Sequence, residues 1–274
     1  MIVWLASYPK SGNTWLRAII SSLIFSTNGE FNMKLLKKIP QFPRKKHFEG
    51  LTKDFSDLRK LNKYWIKAQE KINQTDEVFF YKTHNANIRI ESYPFTNNQN
   101  TLAVIYIVRD PRNLVSSIGN HFNLTNEEAK NFLIEKKALK QNLEGESGVV
   151  TPITDWQDHY ISWSKFNGNL LIIKYEDLIE NTNREIFRIC RFLSKFIKFS
   201  FDDNKINKII TTTSFNELKK AENNGEFDEY KKSKRKFNFF NKGKENNWKN
   251  NINETVKNEI EMKFNKTMKE LKYI

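Results

Sequence analysis

The sequence has a single cysteine and no long apolar run, and each absence excludes a class of protein. Cys190 has no partner for an intrachain disulfide, which is typical of a reducing compartment. It lies in an amphipathic helical pattern, so we expect a buried thiol rather than a nucleophile. No stretch approaches the roughly 18 apolar residues that a membrane-spanning helix needs, and residues 2–6 resemble a buried strand rather than a basic leader. These features predict a cytoplasmic protein without a membrane span.

Acidic residues are outnumbered, with 32 Asp and Glu against 46 Lys and Arg, which gives a formal net charge of +14. Such a surplus suits a polyanionic ligand, which could be nucleic acid, an anionic membrane surface or a phosphate-rich cofactor. A plain surplus of solvated lysines explains it equally well. The basic cluster at 231–236 could form a nucleic-acid patch, but a solvated basic loop is the commoner explanation. No Cys/His cluster has the spacing of a metal site, so no metal is expected.

Four short apolar runs lack polar alternation, at residues 2–6, 78–81, 102–108 and 170–173. Runs of this kind are typical of parallel strands that helices cover on both faces. No internal repeat and no long linker interrupts the 274 residues. We therefore predict an α/β protein with one domain over 1–274, in which helices flank a central, mostly parallel sheet.

Helix signals occupy much of the remaining sequence. Thr125 with Glu128, and Thr182 with Glu185, fit capping boxes that open helices. Pro111 suits the first turn of a helix after the third strand. Two further helices are predicted over 14–26 and 253–272. Three stretches match no pattern and are typical of lids or substrate loops; they span residues 28–60, 85–100 and 220–247.

The strongest chemical signal is the polar segment 7–15, between the first strand and its helix. A glycine-containing turn at a helix N-terminus offers backbone N–H groups and a positive dipole end to an anion. Lys10 adds a charge, and Ser11, Asn13 and Thr14 add hydrogen-bond donors. The segment is not a Walker A loop, because its lysine precedes its only glycine. The alternative is an ordinary turn rich in small polar residues.

Residues 8–15 resemble the 5′-phosphosulfate loop of the sulfotransferase family, and residues 107–117 resemble that family's 3′-phosphate element. The resemblance implies a P-loop-like fold and the donor 3′-phosphoadenosine 5′-phosphosulfate. It also implies donor contacts from the loop and from the second element; these residues are Lys10, Ser11, Gly12, Asn13, Thr14, Trp15, Arg109 and Ser117. The strand and helix pattern agrees, since Arg109 ends a strand and Ser117 lies two turns into the next helix.

Four further elements follow in the family's order, so the resemblance covers nearly the whole chain. Residues 81–84 are similar to the segment that carries the catalytic base, here His84, and residues 174–178 are similar to the family's Tyr-Glu-Asp-Leu. Residues 213–215 resemble the element whose Phe stacks on adenine opposite Trp15, and residues 241–243 resemble the loop that closes over the 3′-phosphate. The donor-binding residues that these elements imply are Tyr175, Thr213, Phe215, Lys242 and Gly243.

The sequence departs from the family pattern in two elements, the closing loop and the dimerisation pattern. Asn241 stands where the family usually has Arg, so we expect Lys242 and the backbone N–H of Gly243 to hold the 3′-phosphate. The family's dimerisation pattern is not met, because Asn251 and Ile260 occupy its charged ends. The oligomeric state is therefore open.

The resemblance implies transfer of a sulfuryl group to a hydroxyl or amine of a small-molecule, lipid or carbohydrate acceptor. His84 would be the base, and Lys10 and Lys82 would stabilise the leaving 5′-phosphate. Alone, His84 would be interpreted as an ordinary loop histidine, and the role of His121 is open. Two alternatives stay open here. A P-loop kinase-like phosphotransferase would need Walker A geometry and a Mg²⁺ carboxylate, and a basic nucleic-acid-binding protein would need interleaved aromatic and basic side chains.

Overall fold

The computed structural model describes residues 1–140, 148–227, 238–241, 243 and 246–274. The predicted basic cluster at 231–236 and Lys242 lie outside these residues. All four predicted strands are present with small shifts at their ends, together with four two-residue strands. The strands are β1 (Ile2–Ala6), β2 (Phe79–Thr83), β3 (Arg89–Ile90), β4 (Tyr93–Pro94), β5 (Thr101–Val108), β6 (Ala138–Leu139), β7 (Thr151–Pro152) and β8 (Leu170–Lys174).

Helices occupy much of the remaining described chain. They are α1 (Asn13–Phe25), α2 (Leu58–Leu61), α3 (Trp65–Ile72), α4 (Pro111–Phe122), α5 (Asn126–Ile134), α6 (Trp156–Ser164), α7 (Tyr175–Glu180), α8 (Thr182–Leu193), α9 (Asp203–Thr212), α10 (Phe215–Asn223), α11 (Glu254–Lys263) and α12 (Asn265–Glu270). Short 3₁₀ helices lie at Met33–Lys38, Lys45–Phe48, Asn62–Tyr64 and Trp248–Asn250. None of the described helices is both long enough and apolar enough to cross a membrane.

The central sheet has the strand order β2-β1-β5-β8. β1 pairs in parallel with β2 on one side and with β5 on the other. Its five residues are all apolar because the strand is fully buried. Parallel strands bring their carboxyl ends to one edge of the sheet, so the residues that follow β1 and β2 emerge next to each other. The predicted α/β class with a central parallel sheet is confirmed.

The chain divides by its contacts into two compact units, each made of several segments. The first unit comprises Met1–Pro9, Ile39–Val108 and Lys136–Ile173, and the second comprises Lys10–Lys38, Arg109–Glu135 and Lys174–Ile274. The sheet belongs to the first unit, and nine of the helices (α1, α4, α5 and α7 to α12) belong to the second. One domain over 1–274 stays a prediction.

Aromatic side chains hold the first unit together. The ring of Phe95 lies 5.5 Å from that of Trp4 on β1, 5.4 Å from that of Trp65 on α3 and 5.9 Å from that of Trp163 on α6. The indole N–H of Trp4 donates to Thr101 Oγ1 at 3.0 Å, which satisfies its polar atom inside the core. α3 and α6 are therefore both joined to the sheet through one buried phenyl ring.

In the second unit a buried ion pair orders the start of α4. The Arg112 guanidinium lies 2.7 Å from Asp110 and 2.5 Å from Glu261, and its centre is 4.2 Å from the ring centroid of Trp248. Asp110 also caps α4 by accepting from the Arg112 N–H. A buried guanidinium needs such a full set of acceptors to offset its loss of hydration. The pair thus connects α4 to α11 and to the C-terminal segment.

Hydrogen bonds at the helix starts decide two of the predicted helix boundaries. The Thr125 box is confirmed, since Glu128 accepts from the Thr125 N–H at 2.8 Å. The Thr182 box is wrong. α7 runs almost into α8, so the Thr182 hydroxyl donates to Leu178 O at 2.8 Å, and Glu185 is fully buried against two arginines instead. The boundary is set by the preceding helix rather than by the side chain.

The single helix predicted over 253–272 is also wrong, because the chain forms α11 and α12 there. Phe264 lies between them with φ −110° and ψ 17°, outside the usual range for a helix. Its side chain is fully buried. A break at a buried phenylalanine is a tertiary effect that apolar periodicity does not reveal.

Candidate functional site

The loop before α1 turns through two left-handed residues. Lys10 has φ 68° and Gly12 has φ 102°. This conformation costs a non-glycine residue about 1 to 2 kcal/mol, whereas glycine adopts it without strain. Gly12 is the N-cap of α1 and has no side chain to accept from the first-turn N–H groups. The N-terminus of α1 is therefore built to receive an anion.

Ser11 Oγ and Trp15 Nε1 in this segment have no hydrogen-bond partner among the described residues. The Ser11 residue is fully buried. Buried polar groups in folded proteins are almost always paired. Asn13 and Thr14, in the first turn of α1, are buried as well. The loop thus fits a ligand that brings its own hydrogen-bond acceptors.

The predicted 3′-phosphate residues come together in the second unit. The Arg109 guanidinium donates through Nη1 to Ser117 Oγ at 3.3 Å and to Lys10 O at 3.2 Å. Its centre lies 4.1 Å from the ring centroid of Tyr175, whose ring is 5.9 Å from that of Trp15. Five residues that sequence reasoning assigned to the donor are therefore linked by a series of contacts through Arg109 and Tyr175.

Phe215 and Gly243 are also in close contact. Gly243 has φ 53°, and a Cβ atom there would lie 2.8 Å from the Phe215 ring, so only glycine fits on this face of the ring. Phe215 and Trp15, which are predicted to stack on opposite faces of adenine, both pack against one hydrophobic cluster. The cluster consists of Ala18, Met33, Leu36, Leu218, Phe227 and Phe240.

Thr213 shows a different environment from the one that donor binding implies. It is fully buried, and its hydroxyl donates to Ile209 O at 2.7 Å within α9. Its proton is therefore engaged in the helix, although the oxygen still has lone pairs to accept with. A direct donor contact from Thr213 stays a prediction.

The segment after Gly243 is joined to the start of α4. Asn246 accepts from Ser116 Oγ at 2.6 Å, and its amide donates to Asn113 O at 2.8 Å. The backbone N–H of Trp248 donates to Asn113 Oδ1 at 2.8 Å. These bonds hold the C-terminal loop beside the helix that carries Ser117.

The side chain of Lys10 lies over an aromatic ring, with Nζ 3.8 Å from the Phe239 centroid. His121 is a neighbour of the same residue, since its ring is 6.3 Å from that of Phe239 and 4.6 Å from that of Phe122. An ammonium over a ring face is stabilised by about 0.5 to 2 kcal/mol. His121 thus belongs to the aromatic surroundings of Lys10, and its role stays open.

Glu176 has structural hydrogen bonds to two neighbouring segments. Its carboxylate accepts from the Asp110 N–H at 3.0 Å and from the Tyr273 hydroxyl at 3.0 Å. Burial raises the pKa of Glu176, and burial together with this carboxylate raises the pKa of Tyr273 well above its usual value. The residue fixes the backbone next to Arg109, and its carboxylate is engaged by these two donors.

His84 belongs to the first unit, where it follows β2. Its Nδ1 lies 2.9 Å from Ser7 O and 3.2 Å from Ser7 Oγ. Because a carbonyl oxygen only accepts, Nδ1 carries the proton and donates to it, and Nε2 holds the lone pair of the neutral ring. Ser7 follows β1, and its N–H donates to Thr83 O at 3.2 Å. The register of β1 and β2 therefore sets the position of His84.

Lys82 lies on β2 and pairs through its backbone, with its N–H donating to Pro40 O at 2.9 Å and its carbonyl accepting from the Phe42 N–H at 2.9 Å. The alternation of a strand directs its side chain to the face opposite Thr83. The catalytic role of Lys82 stays a prediction. No group of three or more potential metal ligands occurs in the part of the chain that the structure describes.

Sequence reasoning overlooked His159. This residue of α6 is fully buried, and its Nε2 lies 3.1 Å from the carbonyl oxygen of His84. No motif marks it, because its partners lie 53 and 75 positions away in the chain. The only signal in the sequence that could have marked His159 was a histidine at a position of α6 where apolar residues are usual.

Comparisons with known proteins identify the family and support the fold. The model of the sulfotransferase domain family matches residues 2–272, so the chain belongs to the sulfotransferase family. The family prediction is thereby confirmed, and the kinase-like and nucleic-acid-binding alternatives are not favoured.

Curated relatives include human sulfotransferase 2A1, which is 22% identical over 80% of this chain and 66% of its own length. The 3-alpha-hydroxysteroid sulfotransferase of Cavia porcellus is 25% identical over 79% of this chain and 65% of its own length. The chain thus spans just under two thirds of the length of these relatives.

Two solved structures show the same fold. Mouse sulfotransferase SULT7A1 complexed with PAP has a TM-score of 0.60 at 21% identity, covering 97% of this chain and 83% of that one. Retinol dehydratase in complex with androsterone and inactive cofactor PAP has a TM-score of 0.59 at 18% identity, covering 98% of this chain and 80% of that one.

Proposed function

We propose that this protein transfers a sulfuryl group from 3′-phosphoadenosine 5′-phosphosulfate to a hydroxyl or amine. The proposal depends most on one observation, the contact of Arg109 with both Ser117 and Lys10. This contact joins the cationic subsite of Arg109 and Ser117 to the N-terminus of α1, which has no side-chain cap. A donor with a 3′-phosphate and a 5′-phosphosulfate has two separate anionic groups and suits such a pair of subsites.

When bound, the donor supplies a sulfur atom whose bond to the 5′-phosphate oxygen is replaced by a bond to the acceptor oxygen or nitrogen. His84 accepts the acceptor's proton at Nε2 as the new bond forms, since Nδ1 already donates to Ser7 O. Lys10 and the first-turn N–H groups of α1 stabilise negative charge on the released phosphate, with Lys82 assisting. Arg109 and Ser117 orient the nucleotide.

The acceptor is proposed as a small molecule. Curated relatives from Cavia porcellus are named 3-alpha- and 3-beta-hydroxysteroid sulfotransferases, so a hydroxysteroid belongs in the first acceptor panel. Simple phenols, aryl amines, lipid alcohols and sugars complete it. Transfer of labelled sulfate from the donor to one of these compounds would identify the acceptor class.

Nucleotide selectivity tests the donor assignment before any acceptor is known. Adenosine 3′,5′-bisphosphate should raise the melting temperature clearly, whereas ATP with Mg²⁺ should do little. A ligand that binds only the native state adds about 2.7 kcal/mol at a hundredfold excess over Kd. Equal stabilisation by the two nucleotides would rule out the 3′-phosphate subsite.

We also propose that the protein acts in the cytoplasm. Cys190 is fully buried in α8, and burial raises the pKa of its thiol to about 12. Such a thiol is protonated and unreactive at neutral pH, as expected of a core residue in a reducing compartment. Subcellular fractionation with an epitope tag tests this location.

A further inference from the structure

His159 has both ring nitrogens engaged inside the first unit. Its Nε2 lies 3.1 Å from His84 O, and its Nδ1 lies 2.9 Å from the Tyr106 hydroxyl. A carbonyl only accepts, so Nε2 carries the proton, and Nδ1 accepts from the tyrosine. Burial above all lowers the pKa of His159 to about 3, which keeps the ring neutral and this pattern constant near neutral pH.

The hydrogen bonds continue from His159 to form a closed circuit. The backbone N–H of Tyr8 donates to the Tyr106 hydroxyl oxygen, and Nδ1 of His84 donates to Ser7 O. Ser7 and Tyr8 are consecutive residues after β1, so the peptide bond between them completes the circuit. The ring of Tyr8 meets that of His159 edge-on, with centroids 5.5 Å apart.

α6 supplies further side chains to the backbone next to His84. Trp163 Nε1 donates to Asn85 O at 2.8 Å. Ser162 Oγ accepts from the Asn87 N–H at 2.9 Å. Three side chains of one helix thus hold residues 84–87, a segment that lies beyond the strand ladder of β2.

We propose that His159 is a positioning residue for His84, fixing its backbone through the carbonyl oxygen and connecting it through Tyr106 to Tyr8. The inference rests on the proposed role of His84 as the base. A base must approach the acceptor within hydrogen-bond distance, and a displacement of about 1 Å can cost on the order of 10²-fold in rate. His159 itself touches neither donor nor acceptor in this proposal.

Graded substitutions separate positioning from packing. His159→Phe keeps a ring but removes both hydrogen bonds, His159→Gln retains a donor and an acceptor, and Tyr106→Phe removes only the bond to Nδ1. The matched control is His47→Phe. His47 belongs to the same unit, also has its pKa lowered to about 3, and accepts at Nδ1 from the Arg44 N–H instead.

With the acceptor found in the panel, His159→Phe should lower kcat by about 10- to 100-fold while leaving the affinity for adenosine 3′,5′-bisphosphate unchanged. Tyr106→Phe should have a smaller effect, and His159→Gln should recover most of the activity. His47→Phe should retain wild-type kcat. Unchanged kcat in His159→Phe, or an equal loss in His47→Phe, would contradict the proposal.

The ¹⁵N ring resonances of His84 give a second readout that needs neither donor nor acceptor. They should report the Nδ1–H tautomer in the wild-type protein and shift in His159→Phe, with recovery in His159→Gln. Identical His84 resonances in all variants would overturn the inference. If the wild-type protein neither binds the bisphosphate nor transfers sulfate, the proposed function fails, and this spectrum still decides whether His159 positions His84. If His159→Phe does not fold, the glutamine and Tyr106→Phe variants provide the same comparison.

Discussion

Ser11 in the second unit and His159 in the first are both fully buried, yet they differ in whether their polar atoms are hydrogen-bonded. Both nitrogens of His159 are paired, whereas Ser11 Oγ has no partner among the described residues. The backbone around the two residues differs in the same way, being uncapped near Ser11 and hydrogen-bonded near His159. The start of α1 has no side-chain cap, while the backbone beyond His84 is held by α6.

The difference fits the roles that we propose for the two regions. A binding region gains affinity when its donors are left for the ligand to satisfy, and it carries the cost of unpaired groups until the ligand arrives. A catalytic group works best when its geometry is established before the reaction, so that little reorganisation is needed in the transition state. We therefore expect substitutions in the two regions to fail in different measurements.

The largest effect is expected for His84→Ala. Turnover should fall by roughly 10² to 10⁴, the usual contribution of a general base, while the affinity for adenosine 3′,5′-bisphosphate stays close to that of the wild type. Single-turnover kinetics and calorimetric titration measure the two quantities separately. His47→Phe is again the control and should keep its turnover. Full activity in His84→Ala would make His84 an ordinary loop histidine and remove the contrast.

Arg109→Ala should show the opposite pattern, because it removes the guanidinium that contacts Ser117 and Lys10 O. We expect the binding free energy of the bisphosphate to weaken by about 1.5 to 3 kcal/mol, the usual contribution of a hydrogen bond to a charged group. Titration at several salt concentrations checks this. Arg89→Ala, which alters an exposed arginine bonded to Ser92 O, should bind normally; equal losses would indicate a general charge effect.

Ser11→Ala should have the smallest effect and the most specific one. Removing a hydroxyl that is unpaired should not lower the melting temperature of the unliganded protein, but it should weaken bisphosphate binding by about 1 kcal/mol. Ser21 provides the matched control, since it is equally buried in α1 and its hydroxyl already donates to Ala18 O at 3.1 Å. Ser21→Ala should leave the affinity unchanged. A loss of unliganded stability in Ser11→Ala would show that the hydroxyl has a structural role.

Much of the proposed donor region could be predicted because its residues occur in contiguous motifs. The loop at 7–15 and the element at 107–117 each place their side chains through one strand, one turn and one helix. The family resemblance implied that Arg109 and Ser117 would meet, and the local strand and helix pattern agreed with it. Local rules misjudged Thr182, where the end of α7 rather than the cap residue decides the boundary.

What the sequence alone determined was the set of local elements: the buried strands, the glycine turn before α1 and the Thr125 cap. Each depends on residues only a few positions apart, where backbone preference and periodicity act directly. The tertiary structure alone decided that His159 meets His84 and that Glu176 meets Asp110 and Tyr273, pairs separated by 66 to 97 positions. No local preference encodes such pairs, because they form only when burial leaves a polar group that must find a partner.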